Sequence, residues 1–600
     1  NNNNIIKYLL QGLSLIQNRG YDSVGICLKN NKKFNNYLNE IENFDKTMNA
    51  NINFKIIKYA SENTSDSFEI LKKNINDNNI KSTLGFGHTR WATHGSKTSN
   101  NAHPHISYFK NVIIVHNGII NNYKFIKTFL ITKGFEFYGE TDTEVIANLI
   151  EYYYLYDNDC KNNFEKCIFK LNQNLEGTWA LIIVNTNDDE NVFITRHGSP
   201  LVLGYSDNLI ICASEINGFA GLVLNYIVLE NNDIIKVNKN NYNSTSYTNY
   251  NIENISNNEI VESPYPYEHW TLKEIMEQPI AINNAINNGG RIIYNKIKLG
   301  GLENLLNCNN NNSINNNFNT NYDKIKHIML FGCGTSYHAC LLAKYYFNNN
   351  KIIHIIDACE FIENDIPLVL NEEKILAIFC SQSGETIDLV KCIEICKKYG
   401  VITYGVINVI DSLISRLVDF GTYINAGPEI AVASTKSFTN TSIILSLIAF
   451  YFYERINYNE QINSLRLLPS TINNILYDQN INDKLNNISD HIVSKNINNI
   501  FILGKNKLFA IAKEVSLKIK EICYIHAEGY SSSSLKHGPF ALLDNTNLTF
   551  LLIDFNDKEN LKNLESTYNE IVCRNTNIIV ISNNNNIEKF LQNNKNSIEN

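Results

Sequence analysis

Lys518 and Glu521 stand three residues apart in a helically patterned segment, so they share one helix face. A carboxylate there can take and return a proton while the neighbouring ammonium steadies a developing oxyanion. His537, in Leu535-Lys536-His537-Gly538-Pro539, adds an acid–base group. The same residues also read as an exposed ion pair, worth about 0.3 kcal/mol, and a turn-capping imidazole. A second chemistry sits in Ser381-Gln382-Ser383-Gly384-Glu385-Thr386. These hydroxyls and a permissive glycine fall where a helix begins. A helix N-terminus carries partial positive charge and unpaired N–H donors, which suits a phosphate dianion. The same hydroxyls would equally serve as plain helix caps.

A third group of candidates lies early in the chain. Arg90, in the segment Gly87 to Gly95 that also holds Trp91, Thr93 and His94, offers a bidentate clamp for a carboxylate. His103 follows in Asn101-Ala102-His103-Pro104-His105. Asn117 and Gly118, placed at the end of a strand Val112–Val115, are an amide and a backbone N–H suited to an oxyanion hole, or else a hairpin turn. Asp142 opens a helix in Gly139-Glu140-Thr141-Asp142-Thr143-Glu144. It would hold an ammonium or simply complement the helix dipole. Together these groups fit an α-amino acid: carboxylate on Arg90, ammonium on Asp142, side-chain carbonyl on Asn117 and Gly118. A nucleophile is missing. Cys27 lies in a buried strand pattern and would lack an α-amino base.

The elements that must position these residues are legible in the patterning. The chain has 600 residues, a net charge of -8 and 44% hydrophobic residues, which argues for several globular domains and against a general nucleic-acid binder. Its 13 cysteines show no paired CxxC and read as reduced, mostly buried thiols of a cytoplasmic protein. No metal-ligand spacing stands out. The longest apolar run, within Ser442 to Tyr453, is too short to span a bilayer. Asparagine-rich tracts at 238–258, 309–312 and 583–586 read as surface insertions. Ile375 to Cys380 is a continuous apolar run, the mark of a strand buried on both faces, and Ile387, Val390 and Ile393 continue at helical spacing. Ile328 to Phe347 and Phe501 to Ile522 repeat one strand–turn–helix pattern, which predicts two doubly wound lobes with parallel sheets. In such sheets ligands bind at a topological switch point, where Thr335 and Ser336 would meet the Ser381 loop. Short turn-bounded strands from Thr178 to Ala213 predict antiparallel sheet. His269 to Pro279 reads as a helix stopped by Pro279.

GHTRWATHG, NAHPH, VHNGIINNY and GETDTE, preceded by RGYDS, resemble the glutaminase half of the glutamine–fructose-6-phosphate aminotransferase (isomerizing) family. SQSGET, INAGPEIAVAST, EVSLKIKEI and LKHGP resemble its sugar isomerase half. The resemblance implies an α/β multi-domain chain: an N-terminal nucleophile (αββα) glutamine amidotransferase domain over 1–237, an Asn-rich linker 238–265, a first sugar isomerase (SIS) lobe 266–470 and a second, incomplete one 471–600. It implies glutamine bound by Arg90, Trp91, Thr93, His94, His103 and Asp142, with Asn117 and Gly118 at the oxyanion and Trp91 at the gate of an ammonia passage. It implies sugar phosphate held by Thr335, Ser336, Ser381, Gln382, Ser383, Thr386, Val432, Ala433 and Ser434. Glu521 becomes the isomerisation base, Lys518 the cation, and His537 the ring-opening group. The implied substrates are glutamine and fructose 6-phosphate, the product glucosamine 6-phosphate, with no cofactor, metal, nucleic acid or membrane, and a homo-oligomer by analogy.

Three departures qualify this. The family's nucleophile is a Cys at the mature N-terminus, but Asn1 opens this sequence. The family ends in a tail whose Lys captures the open sugar, and no such tail follows Asn600. The expectation is a sequence shortened at both ends that does not hydrolyse glutamine as written. Ser534 also stands where the family usually has Glu. Two other readings are a degenerate sugar-phosphate-binding regulator and a different glutamine amidotransferase, and the SQSGET loop argues against the latter.

Overall fold

The structure, a computed structural model, describes residues 5–583 apart from 17–19, 21, 30–52, 63–65, 76–81, 91–94, 207, 239–249, 251, 256–262, 287–289, 294, 308–323, 348–350, 371, 411 and 453–457. It divides into two compact units, Asn1–Pro264 and Tyr265–Asn600. Most of the Asn-rich tracts, together with Trp91, Thr93 and His94, lie outside the described residues.

In chain order the first unit comprises α1 (Ile5–Ile16), β1 (Ser23–Lys29), β2 (Phe54–Ala60), α2 (Ser67–Asn74), β3 (Gly85–Arg90), β4 (His105–Ile106), β5 (Val112–Ile120), α3 (Tyr123–Thr132), α4 (Asp142–Tyr156) and α5 (Phe164–Asn174). Then come β6 (Gly177–Asn185), β7 (Asp188–His197), β8 (Val202–Ser206), β9 (Leu209–Ala213), β10 (Asn225–Val228), β11 (Ile234–Val237) and β12 (Glu253–Asn254). The sheets are antiparallel, with orders β2-β1-β3, β11-β7-β6-β5-β4 and β12-β10-β8-β9. Side-chain alternation builds the layers. Val24, Ile26 and Leu28 of β1 pack under α1 and α2, while Cys27 turns to meet Ile113 and Val115 of β5. Val112 and Ile114 of β5 face the opposite way, into α3, α4 and α5. The result is helix, sheet, sheet, helix.

Two local expectations are corrected here. Asn117 and Gly118 do not end their strand: β5 runs on to Ile120, pairing Asn117 with Ala180 and Gly118 with Trp179. Gly118 adopts φ +145°, and a Cβ there would stand 2.1 Å from the Thr178 carbonyl, so only glycine keeps the ladder unbroken. Within the stretch read as linker, β12 pairs with β10 as an edge strand of the first unit.

The second unit opens with α6 (Trp270–Met276) and α7 (Gln278–Ala285), then β13 (Ile292–Ile293), β14 (Lys296–Ile297) and α8 (Gly300–Asn307). Pro279 does more than stop a helix: it occupies the first turn of α7, where its missing N–H costs nothing. The first lobe continues through β15 (Ile325–Gly332), α9 (Thr335–Ala343), β16 (Ile352–Asp357), β17 (Lys374–Ser381), α10 (Ile387–Lys398), β18 (Ile402–Ile407), α11 (Leu413–Leu417), β19 (Phe420–Tyr423), α12 (Lys436–Phe452) and α13 (Tyr458–Leu476). Its sheet is wholly parallel, in the order β16-β15-β17-β18-β19. Ile328, Leu330, Leu376 and Ile378 pack with α9 and α12 on one face, and Met329, Phe331, Ala377 and Phe379 with α10 on the other. This double burial explains the unbroken apolar runs. The second lobe has α14 (Gln479–Ser494), β20 (Asn499–Gly504), α15 (Lys507–Cys523), β21 (His526–Ser531), β22 (Leu548–Ile553), α16 (Lys558–Val572) and β23 (Asn577–Ser582), with parallel sheet order β21-β20-β22-β23. Leu465 and Ile472 of α13 pack on the first lobe and Ile492 of α14 on the second, so the lobes part between these helices.

Candidate functional site

Each unit gathers one set of candidate residues. In the first, Arg90 ends β3, buried at 4% exposure, with Nη2 donating to the Gly95 carbonyl at 3.3 Å. Burial pulls its pKa down, and the negative charges of Asp22 and Asp142 oppose that. Asp142 is the first residue of α4, which Thr141 caps by accepting the Glu144 N–H at 3.2 Å. The buried Asp142 carboxylate accepts the Ile120 N–H at 2.9 Å, tying it to the strand of Asn117 and Gly118, which are both half-buried.

His103 belongs to a buried imidazole group that the sequence reading missed. Its ring stacks on His88 at 4.3 Å and meets His105 edge-on at 5.0 Å. His103 Nδ1 lies 3.2 Å from the His116 N–H and can only accept from it. Its Nε2 therefore carries the proton and donates to Thr143 Oγ1 at 3.4 Å; that hydroxyl passes its own proton toward His116 Nδ1 at 3.0 Å. The chain of donors fixes the His103 tautomer. Burial, reinforced by the neighbouring imidazoles, pushes His103 well below the ordinary value, and His88 to about 3. The only sequence signal was the crowding of histidines in two short motifs.

Other motif residues are scaffold. Glu140 Oε2 accepts from the Ser96 N–H at 2.9 Å and its hydroxyl at 3.0 Å, and the Glu140 N–H donates to Asn101 Oδ1 at 2.8 Å. Lys58 of β2 donates to the Asn100 and Pro104 carbonyls, each at 3.3 Å, and burial lowers its pKa to about 8. Cys27 is fully buried in β1 and burial raises its thiol pKa.

In the second unit the loops after β15 and β17 leave adjacent parallel strands on either side of the point where strand order reverses. Ser381, the last residue of β17, is buried; its hydroxyl accepts the Gly384 N–H at 2.9 Å and pairs with the Thr386 hydroxyl at 3.1 Å. Thr386 is the N-cap of α10 yet makes no side-chain capping bond, so its hydroxyl is turned to Ser381 rather than to the helix. Ser383 accepts the Glu385 N–H at 3.2 Å. Gln382 is half-buried, and its main-chain carbonyl accepts the Val409 N–H at 3.3 Å. Gly384 takes φ +67° with a hypothetical Cβ 1.9 Å from Ser412 Oγ.

Thr335, the first residue of α9, links the lobes. Its hydroxyl donates to Glu514 at 3.0 Å and accepts from Lys518 at 3.1 Å, while Ser336 beside it is half-buried. Lys518 lies 2.6 Å from Glu521 and 3.5 Å from Glu514, and His338 Nδ1 is 2.7 Å from the other Glu514 oxygen. Glu514 and His338 were not singled out from sequence, because their partners lie across the lobe boundary. His537 is exposed at the end of a 3-10 turn, Ser532–Lys536, and no hydrogen bond or ion pair joins it to Lys518 or Glu521.

The loop before α12 places Val432 at 42% exposure, Ser434 half-buried and the Ala433 side chain buried. It is braced by α6: Glu274 Oε1 accepts the Ile430 and Ala431 N–H groups at 2.6 and 2.9 Å, and Lys436 pairs with Glu277 at 2.7 Å. Burial raises the Glu274 pKa to about 7, with Glu429 adding to the rise.

A glutamine amidotransferase domain family matches residues 88–221, and the SIS domain family matches 322–451 and 494–589. A protein of Acanthamoeba polyphaga mimivirus, named probable glutamine–fructose-6-phosphate aminotransferase [isomerizing], is 38% identical over 97% of this chain and 89% of its own length. The chain belongs to the glutamine–fructose-6-phosphate aminotransferase (isomerizing) family. A member from Methanococcus maripaludis is 35% identical over 96% of this chain and 88% of its own length. A solved C-terminal domain of glucosamine-fructose-6-phosphate aminotransferase from Francisella tularensis has 28% identity and a TM-score of 0.47, covering 55% of this chain and 87% of that one. In this family member the two groups described above fall one within each matched half. Among the described residues, no helix is long and apolar enough to cross a membrane.

Proposed function

We propose that the chain catalyses the glutamine-dependent conversion of fructose 6-phosphate to glucosamine 6-phosphate. The observation that carries this is the family match over nearly the whole chain, with both halves present. In the first unit, Arg90 would take the glutamine α-carboxylate and Asp142 its ammonium, and Asn117 with Gly118 the oxyanion; their shared anchorage on β3, β5 and the start of α4 supports this. His103, held neutral, would line the pocket as a fixed hydrogen-bonding wall. In the second unit, Ser381, Gln382, Ser383 and Thr386 would receive the phosphate, with Thr335, Ser336 and the Val432–Ser434 loop beside the sugar. Glu521 would carry the proton between adjacent carbons. Lys518, 2.6 Å from Glu521, would stabilise the enolate-like oxygen. His537 would open the ring. We place the enzyme in the cytoplasm as a homo-oligomer.

The test is to supply the complete protein with glutamine and fructose 6-phosphate and to measure glucosamine 6-phosphate and glutamate. Product formation in equal amounts supports the reading. Tight hexose phosphate binding without turnover would instead make the chain a sugar-phosphate-binding regulator.

A further inference from the structure

We propose that Cys333, Cys359, Asp357 and Asp388 form a site for a soft divalent cation of the zinc type, at the C-terminal edge of the five-stranded parallel sheet. The topology brings them together. Gly332 and Asp357 are register partners at the ends of β15 and β16, and the Ala358 N–H donates to the Gly332 carbonyl at 3.1 Å. Cys333 and the Asp357–Cys359 turn therefore leave the sheet side by side. One ligand atom each from Cys333, Asp357 and Cys359 lies within 4.8 Å of the others. Asp388, in the first turn of α10, points Oδ2 at Cys359 Sγ from 3.9 Å.

The spacing suits a metal. The two sulfurs are 3.8 Å apart. That is close to the edge of a tetrahedron built on metal–sulfur bonds of about 2.3 Å. Two thiolates with two carboxylates are a donor set that such a cation accepts. Lys391 pairs with the other Asp388 oxygen at 3.3 Å and leaves Oδ2 directed at Cys359 Sγ. Cys392 lies nearby, but its thiol is turned to the Ala358 carbonyl at 3.5 Å. A bound cation would displace the two thiol protons. It would tie the residue before the Thr335 loop to the helix that follows the Ser381 loop, while its binding does not depend on the catalytic reading.

Titrating the complete, reduced protein with Co²⁺ tests the site. One equivalent should develop thiolate charge-transfer absorption and the visible bands of tetrahedral cobalt, and Zn²⁺ should bleach them. Cys359→Ser, at an exposed position that folding tolerates, should abolish the charge-transfer band. It should weaken Co²⁺ binding beyond the about 10–100-fold that loss of an outer partner costs. Cys573→Ser, exposed on another lobe, should change nothing. Reduced wild-type protein without these bands, or a Cys359→Ser variant that keeps them at full strength, would overturn the proposal.

Discussion

Lys518 donates to the Thr335 hydroxyl at 3.1 Å while its ammonium stands 2.6 Å from Glu521. One cation thus ties the start of α9 in one lobe to the proposed base on α15 in the other. The i,i+3 pair is more than a surface ornament: the Lys518 and Glu521 side chains are 18% and 29% exposed. Glu521→Gln should lower glucosamine 6-phosphate synthesis by about 10²–10⁴-fold, the usual worth of a general base. Glutamine hydrolysis should be spared. Product assays with and without fructose 6-phosphate decide, and unchanged synthesis would remove Glu521 from its role.

Glu514 collects Thr335, His338 and Lys518 around a side chain only 7% exposed. Removing its carboxylate takes the acceptor from the half-buried Thr335 hydroxyl and His338 ring. Glu514→Ala should cost about 3–5 kcal/mol of stability in urea unfolding. Glu514→Gln keeps an acceptor for Thr335 and should cost less. A Glu514→Ala protein as stable as wild type would show that the link between lobes contributes little.

The Ser381 loop depends on Gly384. A methyl group there would meet Ser412 Oγ at 1.9 Å in a backbone conformation disfavoured for L-residues. Gly384→Ala should cost at least about 1–3 kcal/mol locally. It should raise the KM for fructose 6-phosphate far more than that for glutamine. Equal effects on both constants would mean that the loop does not hold the sugar phosphate.

Glu274 gives unit two a pH dependence. Its folded pKa of about 7 lies above the ordinary carboxylate value, so the folded state binds the proton more tightly. The contribution is fully present below about pH 4.3 and is lost as pH rises through about 7. Glu274→Gln still accepts from Ile430 and Ala431. Denaturant titrations between pH 5 and 8 should show that component of the slope vanish in Glu274→Gln. A slope identical to wild type would contradict the assignment.

The histidines of unit one have the opposite sign. His88, His103 and His105 are held below their ordinary value, so the unfolded chain binds protons more readily. Their stabilising contribution is present above about pH 6.5 and is lost progressively as pH falls toward the depressed folded values. Imidazole nitrogen shifts in labelled protein should report neutral rings at pH 5.5. Protonation of these rings near pH 6.5 in the folded state would refute the closed hydrogen-bond chain.

Much of the fold is legible in the sequence alone. Ile375–Cys380 had to be a strand buried on both faces, because no period interrupts its apolar residues. The Ser381–Thr386 loop had to stand at that strand's end, since hydroxyls and glycine follow an apolar run and precede a helical one. Lys518 and Glu521 had to share a helix face. These are local facts, set by backbone periodicity and by what glycine and serine permit. The sequence erred where a pairing partner decides the outcome: β5 extends past Asn117 because β6 continues beside it, and the Glu274 helix serves a loop that begins at Ile430.

What only the tertiary structure decided are the meetings of groups far apart in the chain. Thr335 with Glu514 and Lys518, Glu274 with Ile430, and Cys333 with Cys359 leave no spacing to read. Sequence encodes each side chain and its local backbone. Proximity between distant segments is set by strand order and by which faces must leave water, and chemistry between those segments exists only after that burial has brought them within reach.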